Sequence, residues 1–202
     1  MLASWWAREG HRQRLPIPAR DTWGTLDVDS YYHLRRVDRA LTEGLPPAER
    51  DAYLNHPEGS LIPWPPYYTW VAWAATAPDA PEAPRARRDH VERRVCTLPT
   101  WFAVATSAVG AAVGWTLGGP GGALLAGGNH ALSLSSIFYS SPGNGDHHAW
   151  VSLLTAVVLA LAGAGFARGA LRQRASGCAW GGSAGAVAGL ALGSWAGFAV
   201  HV

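Results

Sequence analysis

The chain has 202 residues, room for one or two domains at roughly 100–200 residues each. It contains no lysine; thirteen of its sixteen arginines and thirteen of its fourteen carboxylates lie in residues 1–94, and beyond them stand only Arg168, Arg172, Arg174 and a single acid, Asp146. The mean hydropathy near zero therefore averages a charged half and a nearly uncharged one, which excludes an ordinary soluble globule, and the balanced charge of the polar half leaves no basic field for nucleic acid.

In chain order, the apolar run Met1–Ala7 is too short for a signal peptide before Arg8 and Glu9. Residues 1–25, with Pro16 and Pro18, read as irregular. Over 29–45 the apolar residues Tyr31, Leu34, Val37 and Leu41 recur at three- and four-residue spacing, which predicts an amphipathic helix with Arg35, Arg36 and Arg39 on other faces. Pro46 and Pro47 stop it, and Pro47 can open a short helix toward Tyr53. Four prolines and a glycine make 55–69 a loop. The cluster Trp64, Tyr67, Tyr68, Trp70 and Trp73 resembles an aromatic belt at a membrane–water boundary. Residues 78–94 read as a hinge or an amphipathic entry segment.

After Cys96 four apolar spans follow, at 97–117, 121–138, 149–167 and 175–200. The first, third and fourth approach the ~20 residues a bilayer-crossing helix needs. The second is shorter and interrupted by Asn129 and His130. Gly118-Gly119-Pro120-Gly121-Gly122 predicts a tight reversal, so spans one and two form an antiparallel hairpin. In the fourth span Gly181, Gly185, Gly189, Gly193 and Gly197 stack at period four, a face on which another helix could approach closely. Cys96 and Cys178 lack CxxC spacing and read as two small buried residues. The expectation is an all-α polytopic membrane protein with an external region over 1–96 and a four-helix transmembrane region over 97–202. Arg168, Arg172 and Arg174 place the loop 168–174 in the cytoplasm and, counting back, 139–148 and 1–96 outside. A preceding export helix is then expected ahead of Met1.

Three groups on that outer face could carry chemistry. Asp27 and Asp29 form a D-x-D that offers hard oxygen ligands to Mg²⁺ or Mn²⁺, although Asp29 or Ser30 could equally cap the helix. Asp146-His147-His148 closes a Ser/Pro/Gly turn at the mouth of the third span. There an ionisable residue suggests function, and an N-cap role for Asp146 explains it as well. His130 reads as a packed or hydrogen-bonded histidine.

Taken together, Asp29-Ser30-Tyr31-Tyr32-His33-Leu34-Arg35-Arg36-Val37, then Tyr53-Leu54-Asn55-His56-Pro57-Glu58-Gly59-Ser60, then Ile62-Pro63-Trp64-Pro65-Pro66-Tyr67, resemble the catalytic subunit of oligosaccharyltransferase, most closely the archaeal and bacterial single-subunit forms. The stretch 98–106 and Asp146-His147-His148 match the next hairpin and the second external acidic motif, so the resemblance runs in order from about residue 22 to 170.

The resemblance implies part of a GT-C transmembrane bundle with a long external first loop. The activity it implies is transfer of an oligosaccharide from a polyprenyl-linked donor to an asparagine of an acceptor polypeptide, at a lipid bilayer, with Mn²⁺ or Mg²⁺. Asp29 would be the catalytic first-loop carboxylate and a metal ligand; Asp146 and His148 would be the other ligands, with Asp27, His33 and His147 as candidates to support them. Tyr139 stands where the family carries an arginine. The remaining helices and the W-W-D-Y-G acceptor-recognition region are expected beyond Val202 or lost; the missing remainder or another subunit would pack on the glycine face, and activity of these 202 residues alone is not expected. A non-catalytic membrane protein, or a GT-C enzyme with a different acceptor, are the alternatives.

Overall fold

Polarity runs inside out in the first helix, α1 (Leu2–Glu9). Ser4 and Arg8, one turn apart, are buried, while Leu2 and Trp6 are largely exposed. A helix in water would bury the opposite face; one against lipid satisfies its polar groups internally and turns its apolar side outward. The structure is a computed structural model that describes residues 1–10, 16–17, 22–23, 25, 27–44, 50–170 and 173–200.

An outer layer follows. A short antiparallel pair, β1 (Pro16–Ile17) and β2 (Thr22–Trp23), leads to α2 (Val28–Glu43). Asp27 caps α2, its carboxylate accepting from the Ser30 N–H at 3.3 Å, and Gly44 leaves the helix at φ 91°. A second pair, β3 (Arg50–Asp51) and β4 (Ser60–Leu61), brackets a turn. It precedes α3 (Tyr67–Thr76), a 3₁₀ turn at Ala77–Asp79 and α4 (Pro84–Val95), which begins with a proline at its first position. The expected apolar stripe of α2 is buried only in part: Val37 packs with Ala72 of α3 and Val91 and Val95 of α4, with Leu34 and Leu41 around them, whereas Tyr31 is exposed and Arg36, expected on another face, is buried. Fully burying each valine is worth about 1.5–3 kcal/mol.

Beneath lie the long apolar helices. The segment α5 (Leu98–Leu132) is two helical arms that reverse at Gly118 and Gly119, the latter at φ 58°. The arms are in close backbone contact: a Cβ on Gly114 would collide with the Gly122 carbonyl, and one on Gly127 would lie 2.8 Å from Ala111 Cβ. After a break at Ser133 come α6 (Leu134–Ser140), a loop over 141–147, α7 (His148–Ala170) and α8 (Arg174–Leu192), then a 3₁₀ turn at Ala196–Val200. The inner core joins Val151, Leu154 and Val158 of α7 to Ala191 and Phe198. Leu117, Leu124, Leu125, Leu134, Leu159 and Phe166 project outward. An apolar exterior of this extent is what contact with hydrocarbon requires and water disfavours. Among the described residues two helical stretches are long and apolar enough to cross a membrane, Pro84–Leu132, which takes in α4 and both arms of α5, and His148–Gly169.

Several expectations change. Residues 1–25 are not irregular throughout: α1 and the β1–β2 pair form. The helix expected from Pro47 toward Tyr53 is replaced at 50–51 by β3 and a turn; residues 45–49, with the end of the 29–45 helix, lie outside those described. The loop 55–69 holds β4 and the start of α3, because pairing with β3 supplies the partners that proline density denies a helix. The second span is divided into an arm and α6. The fourth ends at Leu192, where Gly193 meets the Tyr67 ring and its carbonyl accepts from the Tyr67 N–H at 3.0 Å. Cys96 is buried and Cys178 exposed.

Part of the glycine stripe is engaged among the described residues and part is left open. The tight α7–α8 approach is made by Gly165, Gly169 and Gly177, with Gly165 facing the backbone of Gly177 and Gly181. Gly185 and Gly189 face open space. In the 168–174 segment, Arg172 lies outside the described residues, and the Arg168 guanidinium sits 4.7 Å from the Trp180 ring centre.

Candidate active site at Asp146

The loop 141–147 between α6 and α7 is buried at every position, so its polar groups must be paired within the protein. The outer layer does this. The Gly143 N–H donates to the Cys96 carbonyl at 3.0 Å, the Gly145 N–H to Ser30 Oγ at 2.8 Å, and the Tyr68 hydroxyl to the Gly145 carbonyl at 2.8 Å. Thr100 Oγ1 donates to the Ser140 carbonyl at 2.9 Å from α5. Ser30 is therefore shared: its backbone N–H meets the Asp27 cap and its hydroxyl holds the loop, which ties the start of α2 to Asp146.

Asp146 is 2% exposed and surrounded by imidazoles. His33 Nε2 lies 3.1 Å and His147 Nδ1 2.5 Å from Oδ1, and His148 Nε2 lies 3.0 Å from Oδ2. His33 Nε2 and His147 Nδ1 are themselves 3.2 Å apart. Burial alone pushes the Asp146 carboxyl up, but the hydrogen bonds from His147, His148 and His33 outweigh it and hold the group well below the usual carboxylate range. Burial pushes His33 down against its bond to Asp146, which favours the neutral ring. The outer nitrogens of this pair, His33 Nδ1 and His147 Nε2, are buried without a hydrogen-bond partner among the described residues. The T-shaped contact of His33 with Tyr68, 4.9 Å between centroids, fixes the His33 ring.

Asp27, Asp29 and Asp146 each offer a carboxylate oxygen, and the three atoms lie within 4.8 Å of one another. With His148, Tyr139, Phe138, Ser141 and Asn144 they surround a cavity of about 340 Å³. Asp29 and His148 are exposed and reach it from α2 and from the first turn of α7. The donor set fits a hard divalent cation: carboxylate oxygens with one imidazole suit Mg²⁺ or Mn²⁺.

Of the six residues singled out from the sequence, Asp27, Asp29, Asp146 and His148 meet at this cavity, while His33 and His147 stand behind Asp146 on its buried side. The cap of α2 is Asp27 rather than Asp29 or Ser30. Asp146 is not a free helix cap, since both its oxygens are engaged by imidazoles. His130 is hydrogen-bonded at both nitrogens, to Ser107 Oγ at 3.0 Å and Ser136 Oγ at 3.1 Å. The sequence marked Ser30 only as a possible helix cap and Tyr68 only as one of an aromatic cluster, and Arg8 carried no signal beyond a charge after an apolar run.

Tyr139 presents its ring to His148, 4.9 Å between centroids at 65°.

No family profile matches the chain, and no curated protein matches it by sequence. Among solved structures the fold is similar to that of archaeal oligosaccharyltransferase. The oligosaccharyltransferase AglB from Archaeoglobus fulgidus, in complex with an inhibitory peptide and a dolichol-phosphate, superposes with a TM-score of 0.80 over 98% of this chain and 23% of that one, at 16% identity. The apo form of the Archaeoglobus fulgidus oligosaccharyltransferase gives 0.79 over 98% and 24%, at 17% identity. The chain thus spans about a quarter of the length of these structures and shares their fold over that part.

Proposed function

We propose that this chain forms part of a metal-dependent membrane glycosyltransferase of the oligosaccharyltransferase type, which moves an oligosaccharide from a polyprenyl-linked donor to an asparagine of an acceptor polypeptide. The observation that carries the reading is the meeting of Asp27 and Asp29, at the start of α2, with the buried Asp146 and with His148 around one cavity. The fold neighbour whose structure holds a dolichol-phosphate and an inhibitory peptide supports the same substrate classes. Asp29, Asp146 and His148 would hold Mn²⁺ or Mg²⁺, which supplies Lewis-acid stabilisation of a phosphate leaving group.

The chain's own groups divide the remaining work. His33 and His147 orient Asp146 and keep it ionised. Ser30 and Tyr68 fix the loop that presents it. Asp29, exposed at the cavity, is the carboxylate available to an incoming acceptor amide. The outward apolar faces of α5, α6 and α7 suit a cell-membrane location, with 139–148 extracytoplasmic and 168–174 cytoplasmic.

Mn²⁺ titration of the detergent-solubilised chain, followed by electron paramagnetic resonance, tests the site. Asp146→Ala and His148→Ala are expected to abolish saturable binding and Asp29→Ala to weaken it, while Glu58→Ala, remote on the outer turn, leaves it unchanged. Unaltered binding in both Asp146→Ala and His148→Ala would remove the ligand assignment.

A further inference from the structure

Arg8 is the largest fully buried side chain among the described residues. Its Nη1 donates to the Ser4 carbonyl at 2.7 Å, Ser4 Oγ at 2.9 Å and the Ala131 carbonyl at 3.1 Å; Nη2 donates to Ser136 Oγ at 2.7 Å and Nε to Ser140 Oγ at 2.6 Å. The two bonds to Ser4 lie within α1, whereas the other three reach residues 123 to 132 positions away. One guanidinium thus joins α1, the end of α5 and two successive turns of α6. Taking a cation out of water is expensive, so what it holds together in that place has structural weight.

The place is a break between two helices. Ser133, at φ −62° and ψ 125°, leaves helical geometry and separates α5 from α6. The last carbonyls of a helix have no partner within it and carry partial negative charge, which favours a cation beside them. The Ala131 carbonyl is one of these, and Arg8 takes it while its other arms fix Ser136 and Ser140. With seven residues, α6 is too short to keep its own position, so its placing depends on what grips it. Two features of the Asp146 site start from this short helix. Ser140 is its last residue, directly before the buried loop 141–147, and its carbonyl accepts from Thr100 Oγ1 at 2.9 Å. Tyr139, one residue earlier, sets its ring against His148.

We propose that Arg8 is a positioning residue for Asp146 and His148: by fixing α6 against the end of α5, it sets where the Asp146 loop begins and where Tyr139 meets His148. The proposal rests on the reading of those two residues as metal ligands. Ser30 and Tyr68 grip the loop from the outer layer at Gly145, and Arg8 grips its origin from the opposite end at Ser140. Arginine suits this work because its planar fork presents five donors in fixed directions; a lysine ammonium at the same site is a single point and cannot span all three elements.

The test combines Mn²⁺ titration by electron paramagnetic resonance with peptide-resolved hydrogen exchange of the loop 141–147, on the detergent-solubilised chain. Wild type is compared with Arg8→Gln, Arg8→Lys and Ser140→Ala, and with Gly114→Leu, which strains the α5 hairpin at Gly122 and Ala126 instead. Arg8→Gln is expected to weaken Mn²⁺ binding about tenfold, in the range for groups that orient metal ligands, and to change the zero-field splitting of the bound ion. Arg8→Lys should fall between Arg8→Gln and wild type. Loop amides, Gly143 and Gly145 among them, should exchange faster in Arg8→Gln and Ser140→Ala and stay protected in Gly114→Leu. Should Arg8→Gln fail to fold, Ser140→Ala decides, since it keeps the arginine and removes its Nε contact. Unchanged loop exchange in the Arg8 and Ser140 variants, or equal acceleration in Gly114→Leu, overturns the proposal. A wild type that binds no Mn²⁺ but whose loop loosens in Arg8→Gln would sink the ligand reading and leave the positioning of Asp146 by Arg8 standing. Mn²⁺ binding that is the same in wild type and Arg8→Gln would do the opposite.

Discussion

Asp146 shows how a single side chain can be conspicuous in sequence and still depend on partners that the sequence hides. Its isolation in an uncharged half marks it, and the adjacent His147 and His148 are plain. That His33, on α2, closes the third side is decided only when the outer layer settles on the loop. The same holds for the Gly145 clamp. Ser30→Ala and Tyr68→Phe each remove one of its two hydrogen bonds. Each is expected to cost about 1–2 kcal/mol of stability and, by loosening Asp146, to weaken Mn²⁺ binding roughly 10–100-fold. Thermal unfolding and metal titration on the same samples check both effects; a loss of stability with unchanged metal affinity would reduce the clamp to packing alone.

Elements divide by whether their determinants are local. The hairpin within α5 was legible because Gly118-Gly119-Pro120-Gly121-Gly122 leaves the chain no other course; of the stripe Tyr31, Leu34, Val37 and Leu41, the last three marked the packed side of α2, while Tyr31 is exposed. The start of α3 was hidden by the prolines just before it, and α1 by its shortness and inverted polarity. Gly114→Leu forces a side chain into the Gly122 carbonyl and is expected to destabilise the hairpin by about 1–3 kcal/mol or more, read as a lower unfolding temperature; Gly128→Leu, on open space, is its control.

The outer layer carries a pH-sensitive tether of its own. Asp51 on β3 receives Arg35 from α2, with Nη1 3.0 Å from Oδ1, and the Tyr53 N–H at 2.9 Å. Burial pushes the Asp51 carboxyl up, but the Tyr53 N–H, Arg35 and Arg39 outweigh it and hold the group below its ordinary value. A carboxyl depressed on folding contributes stability that is complete above the unfolded value, about pH 4, and is lost as pH falls through the folded one. Unfolding temperature should therefore drop between pH 5 and 3, and Asp51→Asn should flatten that drop while lowering stability at pH 7. An equally steep drop in Asp51→Asn would assign the acid sensitivity elsewhere.

For the whole molecule the arrangement predicts sidedness. With Cys178 replaced by serine, a cysteine at the exposed Glu58 of the outer layer should react with a membrane-impermeant maleimide from outside intact cells, and one at the exposed Gln173 should not. Labelling at Gln173 alone would invert the topology. The loop 141–147 is buried at every position and is a poor place to ask this question.

The sequence by itself determined where charge ends and apolar chain begins, where the long hairpin turns, and which acidic and imidazole groups stand at span mouths, because composition, periodicity and turn chemistry act over a few residues. Only the tertiary structure decided that Asp27 and Asp29 face Asp146 across one cavity, that three imidazoles enclose that carboxylate, and that Arg8 lies buried beneath α6. Those pairings join segments far apart in the chain. They form when the apolar contacts of α2, α3 and α4 bring the outer layer down onto the α6–α7 loop, and no local pattern encodes that docking.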